Sequence, residues 1–216
     1  FALSGQAAVT ITKSAGWLET AYAEWTPGSF TNYHAYVRPA GGDYTQLDAM
    51  LLRNYGDYMR VDALGLKAGN YQLKIVPVDG SGNEVSAEAS ETGTLAVAAH
   101  DRNGFAHFNY SQGVGAYNND GTLKAGAKVF YVTKNTAKTI STDVAGKGTC
   151  TGMQAIITGY QKGEDKTPIV FRIIGTIQAS DMDELGSSAE GLQIKGKAAD
   201  SELNITIEGV GNDATI

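Results

Sequence analysis

Three short apolar runs near the end of the sequence, Ile169–Ile174, Leu192–Ile194 and Ile205–Val210, constrain the fold most. Each is rich in Val, Ile or Leu, and each is followed by a glycine, at Gly175, Gly196 and Gly211. Branched side chains suit a pleated surface, and glycine punctuates it. The run Ile169-Val170-Phe171-Arg172-Ile173-Ile174 is almost continuously apolar, as a strand covered on both faces must be. Repeated strand-plus-glycine units point to stacked parallel coils, in which each coil buries its face against its neighbours. Such a stack needs a polar cap at its end. None is visible before Ile216, so the expectation is the front part of a longer stack.

The first hundred residues have a different rhythm. Residues 7–12, 18–25, 33–38, 58–62, 70–78 and 94–98 read as strands. Alternation is clearest in Tyr71-Gln72-Leu73-Lys74-Ile75, which places apolar residues at every second position. Turn residues separate the strands at Pro27-Gly28, Gly41-Gly42-Asp43 and Asp79-Gly80-Ser81-Gly82-Asn83. Short strands at this spacing predict a β-sandwich of about 100 residues. The segment from Leu66 through Tyr71, Leu73, Ile75, Pro77-Val78-Asp79 and Gly82-Asn83 to Ser86 resembles the second half of a fibronectin type III domain. The resemblance implies a corner at Tyr71, its hydroxyl bonding back to nearby backbone, with Trp25 and Tyr36 as core aromatics. Tyr44, Tyr55 and Tyr58 form a candidate sugar-stacking face, set against ordinary sandwich packing.

After a break at His100–Phe105, Ala127–Thr133 reads as a strand. Met153, Ile156, Ile157 and Tyr160 fall at i, i+3, i+4 and i+7, one apolar stripe of a helix. Thr149 or Thr151 offers an N-cap, and Gly163 a stop preceded by Lys162. Four segments of this half, in order, resemble the opening of a family 1 polysaccharide lyase, a pectate lyase. They are Gly113–Thr133, Gly152–Ile177, Leu192–Gly196 and Asn204–Thr215. Val129–Thr133, Pro168–Ile177 and Thr206–Gly211 match the family's strand motifs. Tyr117-Asn118-Asn119-Asp120-Gly121 stands where the family usually has Thr-Thr-Gly-Gly.

Together these features predict an all-β chain: a fibronectin type III-like β-sandwich over residues 1–98, then, over 99–216, the helical cap and first coils of a right-handed parallel β-helix. The resemblance implies the N-terminal part of a secreted pectate lyase, with pectin or polygalacturonate as polymer partner and the remainder of the β-helix completing it. It also implies calcium for the complete enzyme. Calcium would bridge a uronate carboxylate and acidify the C5 proton, and an arginine would remove that proton in β-elimination. The family's calcium carboxylates and arginine sit on coils after the strand matched by Thr206–Gly211. No catalytic, cofactor-binding or metal-binding residue is therefore assigned in this chain.

Other features bound the alternatives. The formal charge of −6 and pI near 5.0 exclude a general nucleic-acid binder and disfavour unaided binding of other polyanions. Asp181-x-Asp183-Glu184-x-Gly186 has partial calcium-loop spacing, but Leu185 and Leu192 occupy positions that need oxygen ligands. His34, His100 and His107 lack metal-ligand spacing. Cys150 has no partner for a disulfide, and Gly146-Lys147-Gly148 is no phosphate loop. Arg172, mid-strand, points into a groove or pairs with an acid on a neighbouring coil. Sequons occur at Asn109 and Asn204. No apolar run approaches the ~20 residues that span a bilayer. The start at Phe1 rather than Met fits a removed signal peptide or an expression tag, and the expected location is secreted, periplasmic or cell-surface. The competing function is a non-catalytic glycan-binding or surface-interaction protein built from two β domains.

Overall fold

The computed structural model describes residues 9–108, 112–185, 191–196 and 203–216. The chain is all-β apart from one α-helix among these residues. It divides into two compact units, Phe1–Asp101 with Asp120–Thr122, and Arg102–Asn119 with Leu123–Ile216. No helix of the described residues is long and apolar enough to cross a membrane.

The described residues of the first unit form nine strands: β1 (Thr10–Gly16), β2 (Thr20–Thr26), β3 (Asn32–Pro39), β4 (Thr45–Gln46), β5 (Leu52–Asn54), β6 (Met59–Leu64), β7 (Gly69–Val78), β8 (Ser90–Glu91) and β9 (Leu95–Val97). One antiparallel sheet runs β1-β2-β6-β5. The other runs β4-β3-β7-β8, with β9 also pairing β7. Strand periodicity sends alternate residues inward. Ala21, Ala23 and Trp25 of β2, Tyr33 and Ala35 of β3, Val61 and Ala63 of β6, and Leu73 and Ile75 of β7 are buried in the core. Trp25 meets Tyr33 edge-on, with ring centroids 5.3 Å apart.

Two expectations fail here, the first through the phase of β3. Tyr33 and Ala35 point inward, so Tyr36 lies on the outward face and Tyr33 is the core partner of Trp25. The expected corner at Tyr71 is not made either. Tyr33 makes such a contact instead: its hydroxyl accepts from the Gly28 amide at 3.1 Å and donates to the Phe30 carbonyl at 3.1 Å. Tyr33 thereby pins the turn that enters its own strand.

The second unit holds β10 (Lys128–Val132), β11 (Ser141–Val144), β12 (Gly148–Thr151), α1 (Met153–Tyr160), β13 (Ile169–Thr176) and β14 (Ile205–Thr215). β10, β13 and β14 form a parallel sheet in that order. Parallel neighbours need long connections, and the β10–β13 connection carries the antiparallel β11–β12 hairpin and α1. Register is direct: Phe130 lies beside Phe171, which lies beside Ile207. These residues, with Val132, Ile169, Ile173 and Ile205, face a core completed by Met153, Ile156, Ile157 and Tyr160 of α1. The predicted apolar stripe of the helix is therefore its buried face.

The N-terminus of α1 differs from expectation. Gly152 is the N-cap, with φ of 97° and no side-chain cap of its own, and neither Thr149 nor Thr151 caps the helix. Both orphan amides are taken by Asp183, from Gln154 N at 3.0 Å and Ala155 N at 2.9 Å. A Cβ at position 152 would lie 2.2 Å from the Asp183 carboxyl carbon, so only glycine admits this cap. Leu192–Ile194, expected as a strand, is not one. Gln154, buried on α1, holds it instead: the Gln193 amide donates to Gln154 Oε1 at 2.9 Å, and Gln154 Nε2 donates to the Gln193 carbonyl at 3.0 Å. A side-chain amide thus stands in for one residue of a strand partner. Beyond Ile174 the β13–β14 pairing shifts, so that Thr176 faces Thr215. The glycine at 211, φ 77°, takes up that bulge.

Candidate functional site

Two polar constellations stand out, one in each unit. The first lies on the outward face of the β3–β7 sheet. The alternation that buries Tyr33, Ala35, Leu73 and Ile75 presents His34, Tyr36 and Arg38 beside Val76, Lys74 and Gln72. The His34 ring sits 2.8 Å from Glu84 Oε1, and Tyr36 donates to the same oxygen. The bond to Glu84, then burial, pushes the Tyr36 hydroxyl up to about 12, while Tyr36 and His34 hold the Glu84 carboxyl below its usual range. Tyr44 crosses the same face, edge-on to Tyr36 with centroids 6.5 Å apart. Its ring carries two cations, the Arg38 guanidinium at 4.4 Å and Lys74 Nζ at 4.3 Å from the centroid. The Tyr44 hydroxyl is buried without a hydrogen-bond partner. Burial, and then the neighbouring Glu91 carboxylate, push it up to about 12. Lys74 Nζ also lies 4.8 Å from the Tyr36 ring.

The three tyrosines suggested as one stacking face are not brought together. Tyr44 belongs to the β3–β7 sheet, whereas Tyr55 and Tyr58 sit in the β5–β6 turn of the other sheet. There they stack on each other with centroids 4.9 Å apart. The histidines are also separate: His34 meets Glu84, His100 meets the Asp101 carbonyl at 2.8 Å, and His107 lies in a short 3₁₀ turn of the second unit.

The second constellation crosses the parallel sheet on the face away from α1. Tyr131, Arg172 and Glu208 occupy one register row of β10, β13 and β14. Arg172 Nε donates to Glu208 Oε1 at 2.8 Å, Nη1 to the Tyr131 hydroxyl at 3.1 Å and Nη2 to the Tyr117 hydroxyl at 3.3 Å. Tyr117 in turn donates to Glu208 Oε1 at 2.6 Å. Arg172 is 5% exposed. Burial alone would lower its guanidinium pKa, but the Tyr117 and Glu208 oxygens more than offset that. Burial, then the Glu208 charge, hold Tyr117 protonated well above the ordinary tyrosine range, so it is no base at neutral pH. Every Arg172 nitrogen has a partner, which makes this row a register lock rather than a reactive group.

The remaining candidates have structural employment. Asp183 caps α1, and Asp181 accepts the Gln178 amide at 2.9 Å to close a 3₁₀ turn. Gly186, the last position of that partial calcium loop, lies outside the described residues. Among the described residues no group of three or more His, Cys, Asp or Glu side chains could hold a metal, so the donors present do not fit calcium. Gly146-Lys147-Gly148 joins the β11 and β12 strands. Cys150 is half-buried on β12 against the α1 core. The Asn204 side-chain amide donates to the Lys166 carbonyl at 3.0 Å. The sequon at Asn109 lies outside the described residues.

Comparison with known proteins adds little. No protein-family model matches the chain, and no curated protein matches it. Among solved structures, the crystal structure of a β-1,2-glucanase from Parabacteroides distasonis is similar at a TM-score of 0.34 and 16% identity. That match covers 47% of this chain, which spans 14% of the glucanase chain. A score that low establishes no shared fold.

Proposed function

We propose that the chain is the N-terminal, non-catalytic part of a secreted pectate lyase-like polysaccharide lyase. A fibronectin type III-like module would be followed by the first coils of a parallel β-helix, located outside the cell, in the periplasm or at the cell surface. One observation carries this. The segments that resemble the family's strand motifs, at Val129–Thr133, Pro168–Ile177 and Thr206–Gly211, supply β10, β13 and β14, which pair in parallel, in register and in sequence order. Stacked coils require that arrangement, and antiparallel hairpins would have ruled it out. In this reading α1 and the β11–β12 hairpin cover the start of the stack. Calcium and a catalytic arginine would act on coils after β14.

The test is an assay for unsaturated uronides on polygalacturonate, with and without calcium. It would be run on the 216-residue chain and on a polypeptide extended past β14. Calcium-dependent product from the extended protein alone is expected. Product from the 216-residue chain by itself would refute the placement of the chemistry, and an extended protein inert on polygalacturonate would refute the lyase. The second reading, a glycan-binding protein without catalysis, is favoured by the tyrosine, lysine and arginine face of the first unit. It predicts polysaccharide retention with no product from either protein.

A further inference from the structure

We infer that the outward face of β3 and β7 binds a uronic-acid residue of an acidic polysaccharide, through Lys74 and Arg38 around Tyr44. The inference deepens the polysaccharide reading above and rests on it. It starts from an asymmetry between acids and bases on this face. Both carboxylates are engaged: Glu84 accepts from Tyr36 and sits against the His34 ring, and Glu91 accepts from Arg38 Nη2 at 3.4 Å. The two cations are not fully engaged. Arg38 gives Nε and Nη2 to Gln72 Oε1, at 3.1 and 2.8 Å, and its Nη1 has no acceptor. Lys74 Nζ has no hydrogen-bond acceptor among the described residues; it lies over the rings of Tyr36 and Tyr44, in the field of Glu84, with Glu91 opposite it across β7 and β8.

A lysine ammonium carries three donors and a guanidinium five, so open donors from two cations remain beside one tyrosine. Arg38 and Lys74 stand on neighbouring strands, diagonal across the β3–β7 pair, and both lie within 4.4 Å of the Tyr44 centroid. A carboxylate can take donors from two cations at once. The aromatic pair Tyr36 and Tyr44 supplies apolar surface beside those donors, and amphipathic rings suit a ligand with one polar and one C–H face. A uronate offers both, whereas an isolated anion offers only the first. The overall charge of −6 works against long-range attraction of a polyanion, so recognition here depends on short contacts and is screened by salt.

The experiment is affinity electrophoresis of the 216-residue chain through polygalacturonate in EDTA, beside fully methyl-esterified pectin and a neutral β-glucan. Retardation is expected in polygalacturonate only. Lys74→Gln and Tyr44→Ala are each expected to weaken it about tenfold, and Tyr44→Phe to leave it unchanged, because the Tyr44 hydroxyl is buried. Far-UV circular dichroism of each variant confirms the fold, and Lys74→Gln, on the outward face, disturbs no core contact. Equal binding by Lys74→Gln and the parent would overturn the proposal. So would retardation that disappears in EDTA, that survives esterification, or that acidic peptides abolish as well as uronides do. Absence of retardation would also overturn it, while the lyase reading would still be decided by the product assay on the extended protein.

Discussion

The Glu208 carboxylate should control the stability of the parallel sheet. Replacing Glu208 with Ala leaves the Arg172 guanidinium buried with only two tyrosine hydroxyls. Removing one partner of a fully buried ion pair costs about 3–5 kcal/mol. The Glu208 side chain is 23% exposed and both tyrosines remain, so the expected cost is lower, about 2–3 kcal/mol. Hydrogen exchange is the suitable assay. Both tryptophans, Trp17 and Trp25, lie in the first unit, so their fluorescence does not report on β13. At ten-fold per 1.4 kcal/mol, the change corresponds to roughly 30- to 150-fold faster exchange of β13 and β14 amides. Amides of β3 and β7 serve as the internal control. The double variant Arg172→Met, Glu208→Leu removes both charges and should recover most of the loss, because an apolar pair of similar volume commonly replaces a buried ion pair without cost. Two results would refute the reasoning. One is a change below about threefold in Glu208→Ala; the other is a double variant as labile as the single.

Further expectations concern single contacts. Asp183→Ala removes the acceptor of two α1 amides and should cost about 1–2 kcal/mol, read as faster exchange at Gln154 and Ala155. Gln154→Ala removes two bonds to the Gln193 main chain, so limited proteolysis should gain a cleavage site within residues 191–196 while β13 stays protected. Gly16→Ala places a Cβ 2.0 Å from the Ala96 carbonyl oxygen, and a marked fall in melting temperature should follow; an unchanged melting temperature would show that β1 and β9 are not so close. Burial alone would raise the Asp165 pKa, but amides of Ala145 and Thr167, each at 2.9 Å, hold it below 3.8. A depressed folded-state pKa stabilises above the unfolded value and is lost as pH falls through the folded one. Melting of the parent should therefore drop more steeply than that of Asp165→Asn as pH is lowered below 3.8.

The legible parts of the sequence were those governed by local pattern. Strong alternation marked β7, and the i, i+3, i+4, i+7 stripe marked the buried face of α1, because both depend on periodic burial. The acid partner of Arg172 on a neighbouring strand was one of two fates readable beforehand, but Glu208 itself was not, since register is a long-range property. The phase of β3 was missed because Tyr33-His34-Ala35-Tyr36 puts an aromatic on each face, and only the partner Trp25 decides which is core. The short strands β4, β5 and β8 exist by pairing with longer neighbours, with little propensity of their own. The cation and tyrosine face joins residues from positions 34 to 91, and no sequence motif links them. The Asp183 cap was hidden by distance too, its acceptor lying 28 and 29 residues from the amides it serves.

The substitution of a glutamine side chain for a strand residue at Gln193 has a consequence for how length variation could enter this architecture. The alignment of β13 with β14 is set by their own ladder and by the Arg172–Glu208 row. The connecting segment is fastened separately, to the helix, through Asp183 and Gln193. Anchorage and alignment are thus decoupled. Residues added or removed between Gln193 and Asn204 would change the length of the connection without sliding the sheet, so this is where a new surface could be built at little thermodynamic risk.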